Sequence, residues 1–241
     1  MRLPWLNASV LACAALYGGA GAATLSEDFD AGLPAGWTVV NHSAPAGTTS
    51  WFQGDPTIFA AEQGAADSYV AANFHSGAGA ADLSTWLILP TQTFHNGDVL
   101  SFSTRTSEFS FFPDRLEVRF SAVGGTDVGS GAAGVGDYST LLLSINPGQD
   151  VFGYPDAWTR YSVTLGGLAG ATDGALAFRY VVDDGGPLGQ NSNYVGLDSV
   201  RVSAVPEPDG YLMLGAGLAL VRLARRRAAA PIRPRPASSM A

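Results

Sequence analysis

Three aspartates have the side-chain type and the spacing to hold a metal ion. Asp28 and Asp30 stand two residues apart at the end of the first predicted strand, so both project from one face, opposite Phe29. Asp198 lies in the last predicted strand, and the terminal strands of a β-sandwich often lie side by side. Hard oxygen ligands from several segments suit Ca²⁺, so we expect a structural calcium site here. Glu27 is a weaker candidate because a regular strand turns it toward the core.

Other acidic residues leave two interpretations open. The acidic turn Asp183-Asp184-Gly185-Gly186 is a second, weaker metal candidate. Alternatively, the acidic side chains only cap turns and bind no ion. No D-x-D-x-D-G loop is present, which excludes an EF-hand.

Exposed aromatic rings are the second chemistry that the sequence offers. Their apolar faces can stack on sugar rings, and Phe109, Phe111 and Phe112 are the best candidates for glycan contact. These three residues lie in a predicted loop beside polar residues. The competing interpretation is that apolar loop residues cover the edge of a sheet.

The sequence gives no support to catalysis. His42, His75 and His95 are isolated, and no pair has the H-E-x-x-H spacing of a zinc protease. No serine occupies a G-x-S-x-G elbow, and the chain contains no lysine for a Walker A loop. The only cysteine, Cys13, lies in the N-terminal leader, so the domain has no thiol chemistry and no disulfide. We therefore expect a protein that is not an enzyme.

The charge of the domain limits its partners. Residues 23–204 contain 19 acidic and 6 basic side chains, and every basic one is arginine. A net charge near −13 repels nucleic acid and anionic lipid, so we exclude nucleic acid as a partner. The same charge attracts cations.

Short strands must position these residues. Apolar and polar residues alternate in brief runs, and Gly, Pro, Asn and Asp clusters separate the runs. The predicted strands are Thr24–Phe29, Gly36–Val40, Ser50–Gln53, Ser68–Asn73, Thr85–Leu89, Val99–Thr104, Leu116–Ala122, Ser139–Ile145, Thr159–Thr164, Ala175–Val182 and Tyr194–Ser203. The pattern predicts an all-β domain in which two antiparallel sheets pack face to face.

The first 22 residues have the pattern of a secretory signal peptide. Arg2 gives the positive start, Val10–Tyr17 is a short apolar stretch, and Ala20-Gly21-Ala22 offers small residues to signal peptidase. We expect a signal helix that signal peptidase removes, followed by one domain at residues 23–204.

The C-terminal tail, residues 205–227, resembles the PEP-CTERM sorting signal of Gram-negative bacteria. Its parts are the triplet Pro206-Glu207-Pro208, the apolar run Gly210–Val221 and an arginine cluster at Arg225, Arg226 and Arg227. The resemblance implies a membrane helix, a transient inner-membrane anchor and processing by an exosortase. The apolar run has 12 residues. A spanning helix needs about 20, so an interfacial anchor is the alternative. We expect the Pro/Arg-rich extension at residues 228–241 to be disordered.

The domain itself resembles the cleaved-adhesin and choice-of-anchor J group. The matching segments follow in order: Glu27-Asp28-Phe29-Asp30, Gly36-Trp37, Asp82–Pro90, Asp114–Val118, Trp158–Tyr161, Ala177–Tyr180 and Asn193–Val202. The resemblance implies a jelly-roll-like sandwich, similar to carbohydrate-binding modules, with Trp37, Trp86 and Trp158 in the core. It also implies a structural cation between the first and last strands, and no shared enzymatic activity.

These features predict an exported, non-catalytic protein displayed at the cell envelope, the cell surface or in the extracellular matrix. The resemblance adds an expected link to exopolysaccharide and biofilm matrix. Two alternatives stay open: a calcium-stabilised carbohydrate-binding module and an adhesive protein–protein module.

Overall fold

The computed structural model describes residues 23–204 and 214–222. Residues 23–204 fold into two antiparallel β-sheets packed face to face, which confirms the predicted all-β sandwich. The predicted signal peptide, the triplet Pro206-Glu207-Pro208, the arginines Arg225, Arg226 and Arg227 and the extension 228–241 lie outside the described residues. Residues 214–222 are helical. Within the described ranges, no helix has both the length and the apolar character that crossing a membrane requires.

Thirteen strands build the described sandwich. They are β1 (Ala23–Glu27), β2 (Thr38–Asn41), β3 (Ala44–Ala46), β4 (Phe52–Gln53), β5 (Val70–Asn73), β6 (Gly77–Ile88), β7 (Gln92–Phe94), β8 (Val99–Thr106), β9 (Leu116–Ser121), β10 (Thr140–Ile145), β11 (Thr159–Thr164), β12 (Thr172–Gly185) and β13 (Tyr194–Ser203). One 3₁₀ turn, Phe74–Ser76, joins β5 to β6.

The strand order brings both chain termini of the domain together. In the first sheet the order is β11-β8-β13-β5-β4, and β1 pairs with β13. The second sheet has the order β10-β9-β12-β6-β2, with β3 on β6 and β7 on β12. The first and last strands are therefore neighbours, as the sequence predicted, and Glu27 lies opposite Val200.

The main core fills the space between the sheets. Phe102 of β8 meets Phe178 of β12 edge to face, with ring centroids 4.9 Å apart. Phe29, Leu87 and Leu197 are also fully buried in this core. Burial of this kind contributes about 25 cal/mol per Å² of apolar surface and is the main stabilising term, since the domain has no disulfide.

Side chains also pack on the outer faces of both sheets, and each of these faces includes one tryptophan. Trp86 is completely buried and packs on Tyr138 and under the guanidinium of Arg179, 4.9 Å from the ring. Trp158 packs on Phe59 on the other sheet. The resemblance placed these tryptophans in the core. Trp86 is buried as expected, in a smaller cluster on the outer face of its sheet, because strand alternation turns it away from the neighbouring sheet. Trp158 immediately precedes β11 and is partly buried against another small cluster, and Trp37 is partly buried against the main core.

Candidate binding cleft

A cleft of about 280 Å³ opens between two loops at one end of the sandwich. One wall comes from the β8–β9 loop, residues 107–115, and the other from the β10–β11 loop, residues 146–158. Its volume is just below the range of about 300–1,000 Å³ that is typical of small-ligand sites. It has room for a short segment of a polymer rather than for a folded domain.

Three phenylalanines form the lips of the cleft. The exposed fractions of Phe109, Phe112 and Phe152 are 76%, 52% and 64%. Large apolar side chains of this exposure usually mark interaction sites when they lie together. Phe111 is 67% exposed and packs edge to face on Phe152, with centroids 5.2 Å apart. Apolar rings from both loops therefore meet across the opening.

Two of these phenylalanines have unusual backbone conformations. Phe109 has a φ of 56° and Phe152 a φ of 62°, in the left-handed region that bulky residues rarely occupy. Such strain persists only where the surrounding structure holds it, and it is concentrated at functional sites. Each loop is thus fixed in a shape that presents its ring outward.

Asn146 ties the two walls together. Its amide nitrogen donates to the backbone carbonyl of Asp114, 2.9 Å away, and to that of Asp150, 3.0 Å away. Its amide oxygen accepts from the backbone N–H of Asp150 at 2.9 Å. Asn146 is buried, so these bonds are shielded from water. The cleft is therefore largely pre-formed.

Asp114 lies fully buried beneath the floor of the cleft. Its carboxylate contacts the hydroxyl groups of Tyr180 at 2.6 Å and Thr106 at 2.7 Å, and accepts from the N–H of Asn193 at 2.7 Å. Burial raises the pKa of Asp114 despite these partners. The Thr106 hydroxyl also lies 3.0 Å from the carbonyl of Tyr194.

Some of the residues that line this cleft were predicted from the sequence. Of the predicted glycan contacts, Phe109 and Phe112 line the cleft, whereas Phe111 supports Phe152. Phe152 was missed, because its loop carries no motif and its nearness to Phe109 depends on strand pairing. Phe112 also lines a second cleft of about 170 Å³ beside Pro187 and Asn193.

The predicted calcium residues are placed only partly as expected. Strand β1 ends at Glu27, and Phe29 has a φ of 55°, so the regular alternation stops before Asp30. The carboxylate of Asp28 pairs with Arg201 at 3.2 Å, and Glu27 accepts from the N–H of Phe29 at 2.8 Å. The strand alternation on which the expected shared face of Asp28 and Asp30 was based therefore does not extend to Asp30.

Asp30 and Asp198 do meet one common segment. The N–H groups of Glu62 and Gln63 donate to Asp198 at 2.8 and 3.3 Å. A Cβ placed on Gly64 would lie 2.6 Å from Oδ1 of Asp30 and 3.0 Å from Oγ of Ser68. The segment 62–64 thus contacts both aspartates.

Buried hydroxyl groups without a partner occur next to Asp198 in the chain and opposite it in the sheet. The buried side chains of Ser68, Ser103 and Ser199 have no hydrogen-bond partner for their hydroxyl oxygens within the described chain. Ser103 lies opposite Asp198 in the β8–β13 register. Burial raises the pKa of Asp198 to about 6. In the part of the chain that the structure describes, no group of three or more His, Cys, Asp or Glu side chains is arranged to hold a metal ion. A cation here would depend on hydroxyl and carbonyl oxygens in addition to the carboxylates.

The sandwich is similar to solved adhesin domains. The K1 cleaved adhesin domain of Lys-gingipain from Porphyromonas gingivalis W83 matches with a TM-score of 0.52 and 22% identity, over 75% of this chain and 97% of that domain. The K3 domain of the same protein matches with a TM-score of 0.52 and 21% identity, over 76% and 98%. The K2 domain matches with a TM-score of 0.50 and 22% identity, over 74% and 98%.

No protein-family profile and no curated protein sequence matches this chain. At the identities of the three adhesin domains, the similarity establishes a shared fold. The sequence resemblance to cleaved adhesins is therefore confirmed for the fold.

Proposed function

We propose that this protein is an exported, non-catalytic binding module displayed at the cell envelope or in the extracellular matrix, and that it binds a polysaccharide in the cleft of Phe109, Phe112 and Phe152. The observation that carries the proposal is the set of exposed rings around a pre-formed polar floor. Ring faces stack on the apolar faces of sugars, and the floor supplies hydrogen-bonding groups such as Ser107 and Asp156.

The arrangement suits a chain-like ligand. Phe112 lines both the main cleft and the smaller cleft beside Pro187. A linear polymer can lie across Phe112 and reach both depressions. The mixed lining favours sugars over an apolar peptide, since a hydrophobic peptide would leave the carboxylates of Asp150 and Asp156 desolvated. By name, the three structural neighbours are adhesin domains, in keeping with a binding role.

A glycan array tests the proposal directly. Residues 23–204 should bind one class of bacterial or plant polysaccharide and should release it in competition with the free oligosaccharide. Immobilised envelope proteins serve as the comparison. Binding to those proteins alone, with no glycan bound, would favour the adhesive protein–protein module and reject the polysaccharide.

Export and sorting form the second part of the proposal. Signal peptidase removes residues 1–22, the tail holds the chain transiently at the inner membrane, and an exosortase-type enzyme processes it near Pro206-Glu207-Pro208. The domain then works at the cell surface or in an exopolysaccharide matrix. Support comes from the sequence: the triplet precedes an apolar run, and the arginines after it favour the cytoplasmic side.

Substitution of the triplet tests sorting. Replacing Pro206, Glu207 and Pro208 with alanine should leave a larger product in the membrane fraction on a blot of cell fractions. Replacing Pro231, Pro234 and Pro236, in the extension, should change neither size nor location. An unchanged product in the triplet variant would show that the tail is not a working signal.

Calcium is proposed as a structural ion beside Asp198. Asp30, Asp198 and Ser68 would hold it, and the unpaired hydroxyls of Ser103 and Ser199 lie close to Asp198 in the chain and sheet. The ion would neutralise a buried carboxylate and fix the 62–64 segment against β13. Asp28 is not part of this proposed site, because Arg201 already binds it.

A further inference from the structure

We infer that the cleft selects a cationic saccharide, a polymer of amino sugars whose amines are protonated. The inference rests on the proposed polysaccharide binding and names the chemical class of the ligand. Neither the predicted phenylalanine contacts nor the shared fold specifies such a charge.

The lining of the cleft contains acidic side chains and no basic ones. Asp114, Asp150 and Asp156 line it, and no arginine, lysine or histidine does. Asp150 and Asp156 are exposed, and within the described residues neither side chain forms an ion pair. Asp114 is buried and its carboxyl group is already hydrogen-bonded to Tyr180, Thr106 and Asn193, so Asp150 and Asp156 are the acidic side chains of the lining that a ligand can reach. A positively charged group is the partner that these two carboxylates lack.

Arg105, at the end of strand β8, forms its contacts elsewhere. The guanidinium of Arg105 lies over the ring of Phe59, 4.5 Å from its centroid. It also donates to the backbone carbonyl of Asp156 and pairs with Glu108 at 3.8 Å. These contacts hold Arg105 against the outer face of its sheet. Its charge supports the 146–158 loop from behind and leaves the carboxylates free to meet a ligand.

The phenylalanine lips favour the same kind of group. The face of a phenyl ring carries partial negative charge, and a cation within about 6 Å of its centroid is attracted to it. Phe109, Phe112 and Phe152 present exposed rings in the same cleft that Asp150 and Asp156 line. An amino sugar offers both features that this cleft binds: an apolar ring face for the phenylalanines and an ammonium group for the carboxylates.

The charge of the whole domain extends the preference beyond the cleft. With 19 acidic and 6 basic residues between positions 23 and 204, the domain carries a negative field. That field speeds the approach of a polycation and opposes polymers that carry uronate, sulfate or pyruvate groups. Selection against anionic polysaccharides is therefore as much a part of the inference as attraction of cationic ones.

The test is a titration of the full chain, at mildly acidic pH and low salt, with four polymers matched in length. These are a β-linked glucosamine oligomer, its fully N-acetylated form, a neutral β-glucan and a polyuronate. The glucosamine oligomer should bind at least about tenfold more tightly than its acetylated form, because two carboxylates and the ring faces all act on the ammonium. Added salt should reduce this difference.

Two pairs of substitutions distinguish binding in the cleft from attraction to the overall negative charge of the domain. Asp150→Asn with Asp156→Asn should remove the preference for the free amine while binding of the acetylated form persists. Asp137→Asn with Asp173→Asn removes the same charge outside the cleft and should keep the preference. Equal binding of the free-amine and neutral forms would overturn this inference and leave the proposed polysaccharide binding standing. Binding of oligolysine without any of the four polymers would overturn both.

Discussion

Replacing Phe109 and Phe152 together with alanine is expected to weaken polysaccharide binding about a hundredfold or more. Each ring contributes an exposed face from a different wall of the cleft, so the double variant removes stacking on both sides. Truncating an aromatic anchor at a binding site typically costs about 2 kcal/mol or more, and each 1.4 kcal/mol is roughly a tenfold change in Kd. Calorimetric titration with the polymer found on the array would measure the loss.

Two controls make this result interpretable. Val123→Ala truncates a side chain that is 72% exposed but lies away from the cleft, and it should bind normally. Both phenylalanines are exposed, so the melting temperature of the double variant should stay close to that of the parent chain. Phe152→Tyr keeps a ring and should retain binding. Undiminished affinity in the double alanine variant would place the ligand elsewhere on the sandwich.

Calcium is expected to raise the melting temperature by about 5–10 °C near neutral pH. A ligand at a hundredfold excess over its Kd stabilises the folded state by about 2.7 kcal/mol. For a domain of this size each kcal/mol shifts the melting temperature by about 2–4 °C. Scanning calorimetry with calcium and with a chelator would measure the difference. An unchanged melting temperature would remove the proposed ion.

The dependence of folding stability on pH should change sign when calcium is added, because of the titration of Asp198. Burial raises its pKa to about 6 from an unfolded value of 3.8, so the folded state binds the proton more tightly. In chelator, stability is therefore lost as pH rises through this window, by about 1.4 kcal/mol between roughly pH 5 and pH 7.5. Calcium competes with the proton for Asp198, so the stabilisation that calcium gives should be larger at the higher pH.

Variants assign that effect to the proposed ligands. Asp198→Asn should abolish the calcium response, and in chelator it should also remove the loss of stability with rising pH, because asparagine does not titrate. Asp30 is exposed, so the Asp30→Asn variant should fold normally. It should still reduce the response to calcium. Asp28→Asn should leave the response intact, since Asp28 pairs with Arg201. A full response in both Asp30→Asn and Asp198→Asn would contradict the site.

The sequence predicted the strands well where alternation and turns are clear. Every predicted strand is present, and Thr159–Thr164 and Tyr194–Ser203 have the predicted bounds. Strand β6 was predicted too short, because Gly77 to Ala81 is a run of Gly and Ala with no alternation to detect. The short strands Ala44–Ala46 and Gln92–Phe94 were missed, since three residues carry too little pattern.

The candidate sites were harder to predict than the fold, because they depend on backbone exceptions and distant pairing. Strand β1 ends at Glu27 and Phe29 has a left-handed conformation, which local alternation does not foresee. The 62–64 segment that meets Asp198 lies more than 130 residues away in sequence. Likewise, Phe109 and Phe152 become neighbours in one cleft only through folding of the two sheets.

Chemical-shift mapping of the ¹⁵N-labelled domain with the bound oligosaccharide tests the central claim most directly. Binding in the cleft predicts that perturbed amides concentrate in the two loops, residues 107–115 and 146–158, with smaller changes beside Pro187. The amides of β2, at the opposite edge of the second sheet from β10, should stay unperturbed. Perturbations confined to a sheet face, with both loops unchanged, would contradict the account.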